Sequence, residues 1–375
     1  MVKILIVDNS NYVTGAATSI SRFARALSNE FEFQWAVTER ISDDDLKGFI
    51  ADDKYYRFKF VELSKKPGRL AAYVPKLISN AIKLNRIIKE NEIAVLHVND
   101  LYNMVGVAVR MLNRKVKIVY HVRLLRTSYV GSLYSFFLKR IDGAANAIIC
   151  CSNAVLRDVG ERRVPTTVIY DSENFKDPVD PPVLNGELKN VLYIGNILPG
   201  KGHDLAIQTI ELLRESGLDI YLRFVGKVDD SKVSSDFKDR LDRMISDAKL
   251  NGAVEFVGFK RDLASEIRNA DLVLNLSESE SFSMVCLEAL KAGVPLVASD
   301  CGGPAEIVEN MKSGWLVPNR DFRAAASAIE QLQKDRKLRE RFTIEGPLRA
   351  RSKFDVQKNG RLLRNVYFGD LKSEF

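Results

Sequence analysis

The chain has 375 residues, 46% of them hydrophobic and 28% charged, an ordinary globular composition that excludes disordered, collagen-like and disulfide-stapled classes. That length exceeds what one core usually serves, so about two domains are expected. The formal net charge of +7 sits in the first half, where residues 1–180 hold 27 Lys and Arg against 20 Asp and Glu, while residues 181–375 hold 29 of each.

The opening MVKILIVDNSNY has too short an apolar run for a secretory signal. No run reaches the roughly 18 apolar residues of a membrane span. Cys150, Cys151, Cys286 and Cys301 lack metal-ligand spacing and read as thiols of a reducing compartment. A cytoplasmic protein is expected, peripheral on the inner face of the cell membrane at most.

Short apolar runs alternate with amphipathic ones. KILIVD (3–8), FEFQWAV (31–37), AVLHVN (94–99), KIVYHV (117–122) and AIICCS (147–152) read as buried strands, and ATSISRFARALSN (17–29) as a helix between the first two. The run Asp43, Asp44, Asp45 lies in a helix-like surface segment and reads as solvated. Between Lys54 and Arg126 the basic excess concentrates in KKPGRLAAYVPKLISNAIKLNRIIKEN, where Tyr73, Val74, Leu77, Ile78, Ala81, Ile82 and Leu84 recur at near-helical spacing among Lys76, Lys83 and Arg86. Such a helix either packs on its own sheet or rests on an anionic membrane surface. Nucleic acid is not expected, because no helix-turn-helix or zinc pattern accompanies the charge.

After VPTTVIYDSENF (164–175) the proline-rich KDPVDPPVLNGELKN reads as a linker. The same grammar then restarts with NVLYIGN (190–196), YLRFVGK (221–227), AVEFVGF (253–259), DLVLNLS (271–277), PLVASD (295–300) and GWLVPN (314–319). Two doubly wound α/β domains follow. The boundaries expected are 1–177, a linker at 178–188, and 189–356, with a C-terminal helix at about 357–375 packing back on the first domain. Ligands of such sheets bind at the carboxyl ends of the strands, which makes an interdomain cleft the default site.

The stretch ESESFSMVCLEALKAGVPLVAS (278–299) places Glu280 in the loop after a strand and Glu288 inside the following helix. Gly293 stops that helix, and Ser281 or Ser283 can cap it. A helix N-terminus attracts a diphosphate, and carboxylates accept from sugar hydroxyls. The pair alone also fits acidic residues at a helix start plus one buried by chance.

The longer run ESFSMVCLEALKAGVPLVASDCGGPAEIVENMKSGWLVP resembles the donor-site signature of family 4 retaining glycosyltransferases (group 1), which have the GT-B fold of two Rossmann-like domains facing across a cleft. The resemblance implies transfer of a hexose from a UDP- or GDP-sugar to a glycan or lipid-linked acceptor, in surface polysaccharide synthesis, without metal or other cofactor. It implies that Glu280 orients the hexose, that Glu288 holds the ribose, and that N–H groups near Phe282, Ser283 and Met284 meet the diphosphate. In YIGNILPGKGHDLAI, Gly195, Lys201 and Gly202 match the family's diphosphate turn, but Asn196 stands where an arginine is usual. Phe259 and Lys260 correspond to the loop that lines the base. His121 matches the histidine that faces the transferred sugar, whereas His97 and His203 read as structural.

Gly15, in Thr14-Gly15-Ala16-Ala17, replaces a Gly-Gly pair and is the candidate for a left-handed turn near the substrate. Ser283 stands where Gly is common. The candidate catalytic residues are therefore His121, Lys201 and Glu280. Rival readings are a nucleotide-sugar epimerase of the same fold and a non-catalytic partner subunit, favoured by Asn196. A dinucleotide oxidoreductase lacks its G-x-G-x-x-G turn.

Overall fold

The computed structural model describes residues 1–11, 13–50, 54–60, 67–128, 131–175 and 186–369, with backbone alone at 67–72, 128, 131 and 132. Most of the expected linker, residues 178–185, lies outside them. The chain divides into two compact units, one of Met1–Asn174 with the chain from Asp355 onward, the other of Phe175–Phe354.

In the first unit β1 (Val2–Asp8), β2 (Phe31–Thr38), β3 (Lys54–Phe58), β4 (Val95–Val98), β5 (Lys117–Val122), β6 (Ala147–Cys150) and β7 (Thr166–Val168) form one sheet in the order β3-β2-β1-β4-β5-β6-β7. Every pairing is parallel. Strands covered on both faces need near-continuous apolar sequence, which β1, β4 and β6 supply. The edge strand β3, KYYRF, has no apolar run, and sequence periodicity misses it for that reason; charge and exposure suit an edge.

Thr14 caps the helix Gly15–Ala26, its Oγ1 accepting from Ala17 N at 3.1 Å. Asp355 caps the helix Val356–Phe368 by accepting from Gln357 N and Lys358 N at 2.9 and 3.0 Å. That last helix buries Val356, Leu363, Val366 and Tyr367 in the core of the first sheet, beside Phe31 and Phe33. Each such side chain contributes roughly 1.5–3 kcal/mol when fully buried.

The helix Pro67–Glu90 splits the apolar set read from sequence. Ala81, Leu84, Ile87 and Ile88 are buried, whereas Val74, Ile78 and Ile82 are 54%, 52% and 56% exposed and share one stripe at four-residue spacing. No helix among the described residues is long and apolar enough to cross a membrane.

In the second unit β8 (Asn190–Ile194), β9 (Tyr221–Val225), β10 (Val254–Gly258), β11 (Leu272–Asn275), β12 (Leu296–Asp300) and β13 (Trp315–Pro318) pair in the order β10-β9-β8-β11-β12-β13, again all parallel. The strand order therefore reverses between β1 and β4 in one sheet and between β8 and β11 in the other. Those reversals are where doubly wound sheets hold ligands.

Candidate active site

At the second reversal, β8 leads through residues 195–202 into the helix His203–Glu215, and β11 leads through residues 276–283 into the helix Met284–Ala292. The two loops are tied together from below. The buried Tyr193 hydroxyl donates to the Lys201 carbonyl and accepts from Leu276 N at 3.0 Å, and Glu278 N donates to Gly200 O at 2.9 Å. Gly202 has φ +75°, and a Cβ there would lie 2.1 Å from Leu276 O. Only glycine fits.

This frame brings two of the expected residues into contact. Lys201 Nζ lies 2.8 Å from Glu280 Oε1, with the lysine 38% and the glutamate 18% exposed. Glu280 is in turn held by its backbone, which accepts from Gly303 N at 2.7 Å and donates to Cys301 O at 3.3 Å. Gly303 can approach so closely because it has no Cβ; one would fall 2.2 Å from Phe282 backbone. Gly202 supplies no side-chain cap to its helix, whose first turn carries Asp204 with Oδ1 accepting from Leu205 N at 3.2 Å; the helix start and its positive dipole follow directly on Lys201. The combination can bind a diphosphate while presenting one carboxylate to hydroxyl groups.

Ser283 caps the helix Met284–Ala292 from a left-handed backbone, φ +89°, with its Oγ accepting from Cys286 N at 3.4 Å and from Asn275 Nδ2 at 3.2 Å. The family's usual glycine has its physical reason in that φ. Met284 and Glu288 are half-buried on this helix.

The left-handed turn expected at Gly15 needs correction: Gly15 is the first residue of a right-handed helix and is not among the positive-φ glycines. In the second unit Gly200 and Gly202 have positive φ. The Phe282 side chain is buried, its ring 5.5 Å from Phe354, which leaves only its backbone to a ligand. Asn196, where the family has an arginine, uses its Oδ1 to accept from Lys227 N at 3.3 Å, in the turn after β9. Phe259 is 67% exposed and Lys260 half-buried. Sequence reading also missed Arg320, which pairs with Glu278; the acidic ESES run marks a need for cations without saying where they come from.

His121 belongs to the first unit and is fully buried rather than open at a strand end. Arg123, itself buried, donates to Asn99 Oδ1 at 2.6 Å, pairs with Asp171, and lies with Nη2 3.2 Å from His121 Nδ1. A guanidinium only donates. His121 Nδ1 therefore accepts, and the neutral ring carries its proton on Nε2, which is buried with no hydrogen-bond partner among the described residues. Burial first, then Arg123 and His97, hold its pKa well below the usual histidine value. His97 is likewise lowered to about 3 by burial and Arg123, with Nδ1 2.8 Å from the Tyr367 hydroxyl. His203 is buried under the loop, Nε2 3.3 Å from Gly195 O, and burial lowers it to about 4.

Among the described residues no three His, Cys, Asp or Glu side chains gather as a metal site.

Two units, each a doubly wound parallel sheet, define an α/β protein of the GT-B fold. Residues 13–171 match glycosyltransferase family 4, and residues 177–349 match glycosyl transferases group 1. The chain belongs to this family.

It is 28% identical over 180 residues to the capsular polysaccharide biosynthesis glycosyltransferase CapM of Staphylococcus aureus, covering 48% of this chain and 46% of that one. It is 26% identical over 268 residues to the lipopolysaccharide core biosynthesis mannosyltransferase LpsB of Rhizobium meliloti, covering 68% and 73%. The match to CapM thus spans about half that relative's length. HepE of Anabaena, solved in complex with UDP-glucose, superposes with a TM-score of 0.82 at 20% identity over 98% of this chain and 100% of that one.

Proposed function

We propose that the chain is a retaining glycosyltransferase of polysaccharide synthesis that moves a hexose from a nucleoside diphosphate sugar, UDP-linked or GDP-linked, to a glycan or lipid-linked acceptor. The observation that carries this reading is the Lys201–Glu280 pair, 2.8 Å apart at the reversal of the second sheet. The UDP-glucose held by HepE and the polysaccharide work named for CapM and LpsB support it.

In this reading Lys201 and the helix starts stabilise the leaving diphosphate, where electrostatics is the main catalytic contribution. Glu280 orients the hexose and Glu288 the ribose. The bond from the sugar's anomeric carbon to the diphosphate breaks, the bond to the acceptor oxygen forms on the same face, and the acceptor proton passes to the departing phosphate oxygen. No protein base is needed. His121, neutral and enclosed, then acts as a positioning residue, and no metal takes part.

Calorimetry with UDP and GDP, in buffer with chelator, tests the reading. One nucleotide should bind, and Glu288→Ala and Lys201→Met should each weaken it by about 10-fold or more, as loss of a charged hydrogen bond does. Absence of binding to either nucleotide would sink it and favour the partner-subunit alternative.

The exposed stripe Val74, Ile78, Ile82, flanked by exposed Lys83, Arg86 and Lys89, supports peripheral attachment to an anionic membrane. Sedimentation with phosphatidylglycerol vesicles should fall sharply in a Val74→Ser, Ile78→Ser, Ile82→Ser variant; unchanged sedimentation would reject attachment by this face.

A further inference from the structure

The first sheet has its own reversal, between β1 and β4, and a shallow pocket open to solvent lies there. Asn9, which follows β1, and Tyr102 and Asn103, which follow β4, meet Tyr73, Lys76 and Asn80 from the helix Pro67–Glu90, with Phe60 completing the wall. Three aromatic rings and three amides are the side chains that suit a sugar, since a pyranose offers an apolar face to a ring and hydroxyls to amides.

Two details narrow the occupant. Asn103 is 5% exposed; its Oδ1 accepts from Val105 N at 3.2 Å, while Nδ2 has no partner among the described residues. An unpaired buried amide N–H₂ costs about 1–3 kcal/mol, which a ligand acceptor would recover. Lys76 is the one charged side chain among the lining residues and is half-buried. No carboxylate of the described residues lies within ion-pair distance of it, whereas its helix neighbours Lys83 and Arg86 are engaged by Arg57 O at 2.8 Å and by Glu90 at 2.6 Å. The Tyr73 hydroxyl is held by the Met104 backbone, which fixes that ring as a wall.

We propose that this pocket holds a sugar unit bearing a negative group, a carboxylate or a phosphate, with Lys76 pairing the charge and Asn103 Nδ2 donating to an oxygen of the same sugar. The inference rests on the glycosyl-transfer reading only in taking this sugar as part of the acceptor, so that the enzyme selects acidic acceptors.

The test uses the full chain with saturating UDP, so that the nucleotide site is closed to the probes. Methyl α-glucuronide, glucose 1-phosphate and methyl α-glucoside are titrated by ligand-observed NMR. At least one charged probe should bind about 10-fold or more tightly than the neutral glucoside, roughly one desolvated charge pair. Lys76→Gln should bring all three within about twofold. Asn103→Asp, which keeps the acceptor for Val105 N, should weaken the charged probes. Preference for the glucuronide alone points to an acidic sugar, and for glucose 1-phosphate alone to a phosphate-linked acceptor. Equal binding of charged and neutral probes, an undiminished preference in Lys76→Gln, or no binding of any probe overturns the proposal. UDP binding measured on the same samples separates its failure from failure of the donor reading.

Discussion

The two reversals share a topology and differ in how they are built. At β8–β11 the backbone does most of the shaping: Gly202 and Gly303 press against neighbouring main chain, and the helix start at Gly202 has no side-chain cap. At β1–β4 side chains do it: Thr14 closes the first helix, and amides, tyrosines and a buried Arg123 network fill the strand ends. A helix start with a glycine cap and a nearby lysine favours a small, highly charged group. Rings and amides with a single lysine favour a larger group that carries one charge among many hydroxyls. The sheet sets where a ligand goes, and the loops set its chemistry.

The largest expected effect tests the backbone side of this contrast. Gly202→Ala places a methyl 2.1 Å from Leu276 O at φ +75°, so both clash and left-handed strain apply. A loss of roughly 3–5 kcal/mol is expected. Gly200 has φ +81° but open space for a Cβ, and Gly200→Ala should cost only about 1–2 kcal/mol, the left-handed penalty. Urea unfolding distinguishes them. Equal losses would show that backbone conformation, not close approach, dictates the glycines of this turn.

Next in size is a pH effect from His203, enclosed beneath that loop. Its folded pKa is lowered from 6.5 to about 4 by burial, opposed by Gly195 O and aided by Lys201. Between those values the unfolded chain takes a proton that the folded chain refuses. Stability therefore falls as pH drops from about 6.5 towards 4, by about 1.4 kcal/mol per pH unit for one such group. His97, lowered to about 3, adds a similar slope from the first unit. His121, also held well below the ordinary value by burial, contributes in the same direction. Unfolding curves at several pH values should show the decline, and His203→Leu should flatten it by about 1.4 kcal/mol per pH unit.

Much of this fold is readable from sequence because buried parallel strands announce themselves: KIVYHV at 117–122 is β5 residue for residue. The polar edge strand β3 does not, since nothing in KYYRF requires burial. In the site, the loop sequences place Lys201 and Glu280 at matching strand ends, and their contact follows from the fold. The role of Asn196 is different. Its bond to Lys227 N depends on the turn after a neighbouring strand, 31 residues away, and local pattern carries no trace of it. His121 illustrates the same limit, because it packs against Arg123 and against His97, which the distant Tyr367 hydroxyl holds in turn.

The smallest expected effect concerns Ser283, where strain and capping oppose each other. Its φ of +89° costs a non-glycine residue roughly 1–2 kcal/mol. Glycine would relieve that, and replacing a serine cap by glycine loses only a few tenths of a kcal/mol. It would also leave Asn275 Nδ2, now 3.2 Å from Ser283 Oγ, without that acceptor, at about 1 kcal/mol if water cannot replace it. The balance is a net change within about 1 kcal/mol of zero, read as a small shift in urea midpoint. Nucleotide affinity is the sharper readout. If the serine hydroxyl only caps the helix, UDP affinity in Ser283→Gly stays within about twofold. A tenfold gain would mean that the family glycine admits a closer approach of phosphate to this helix start, and that the side chain now limits donor binding.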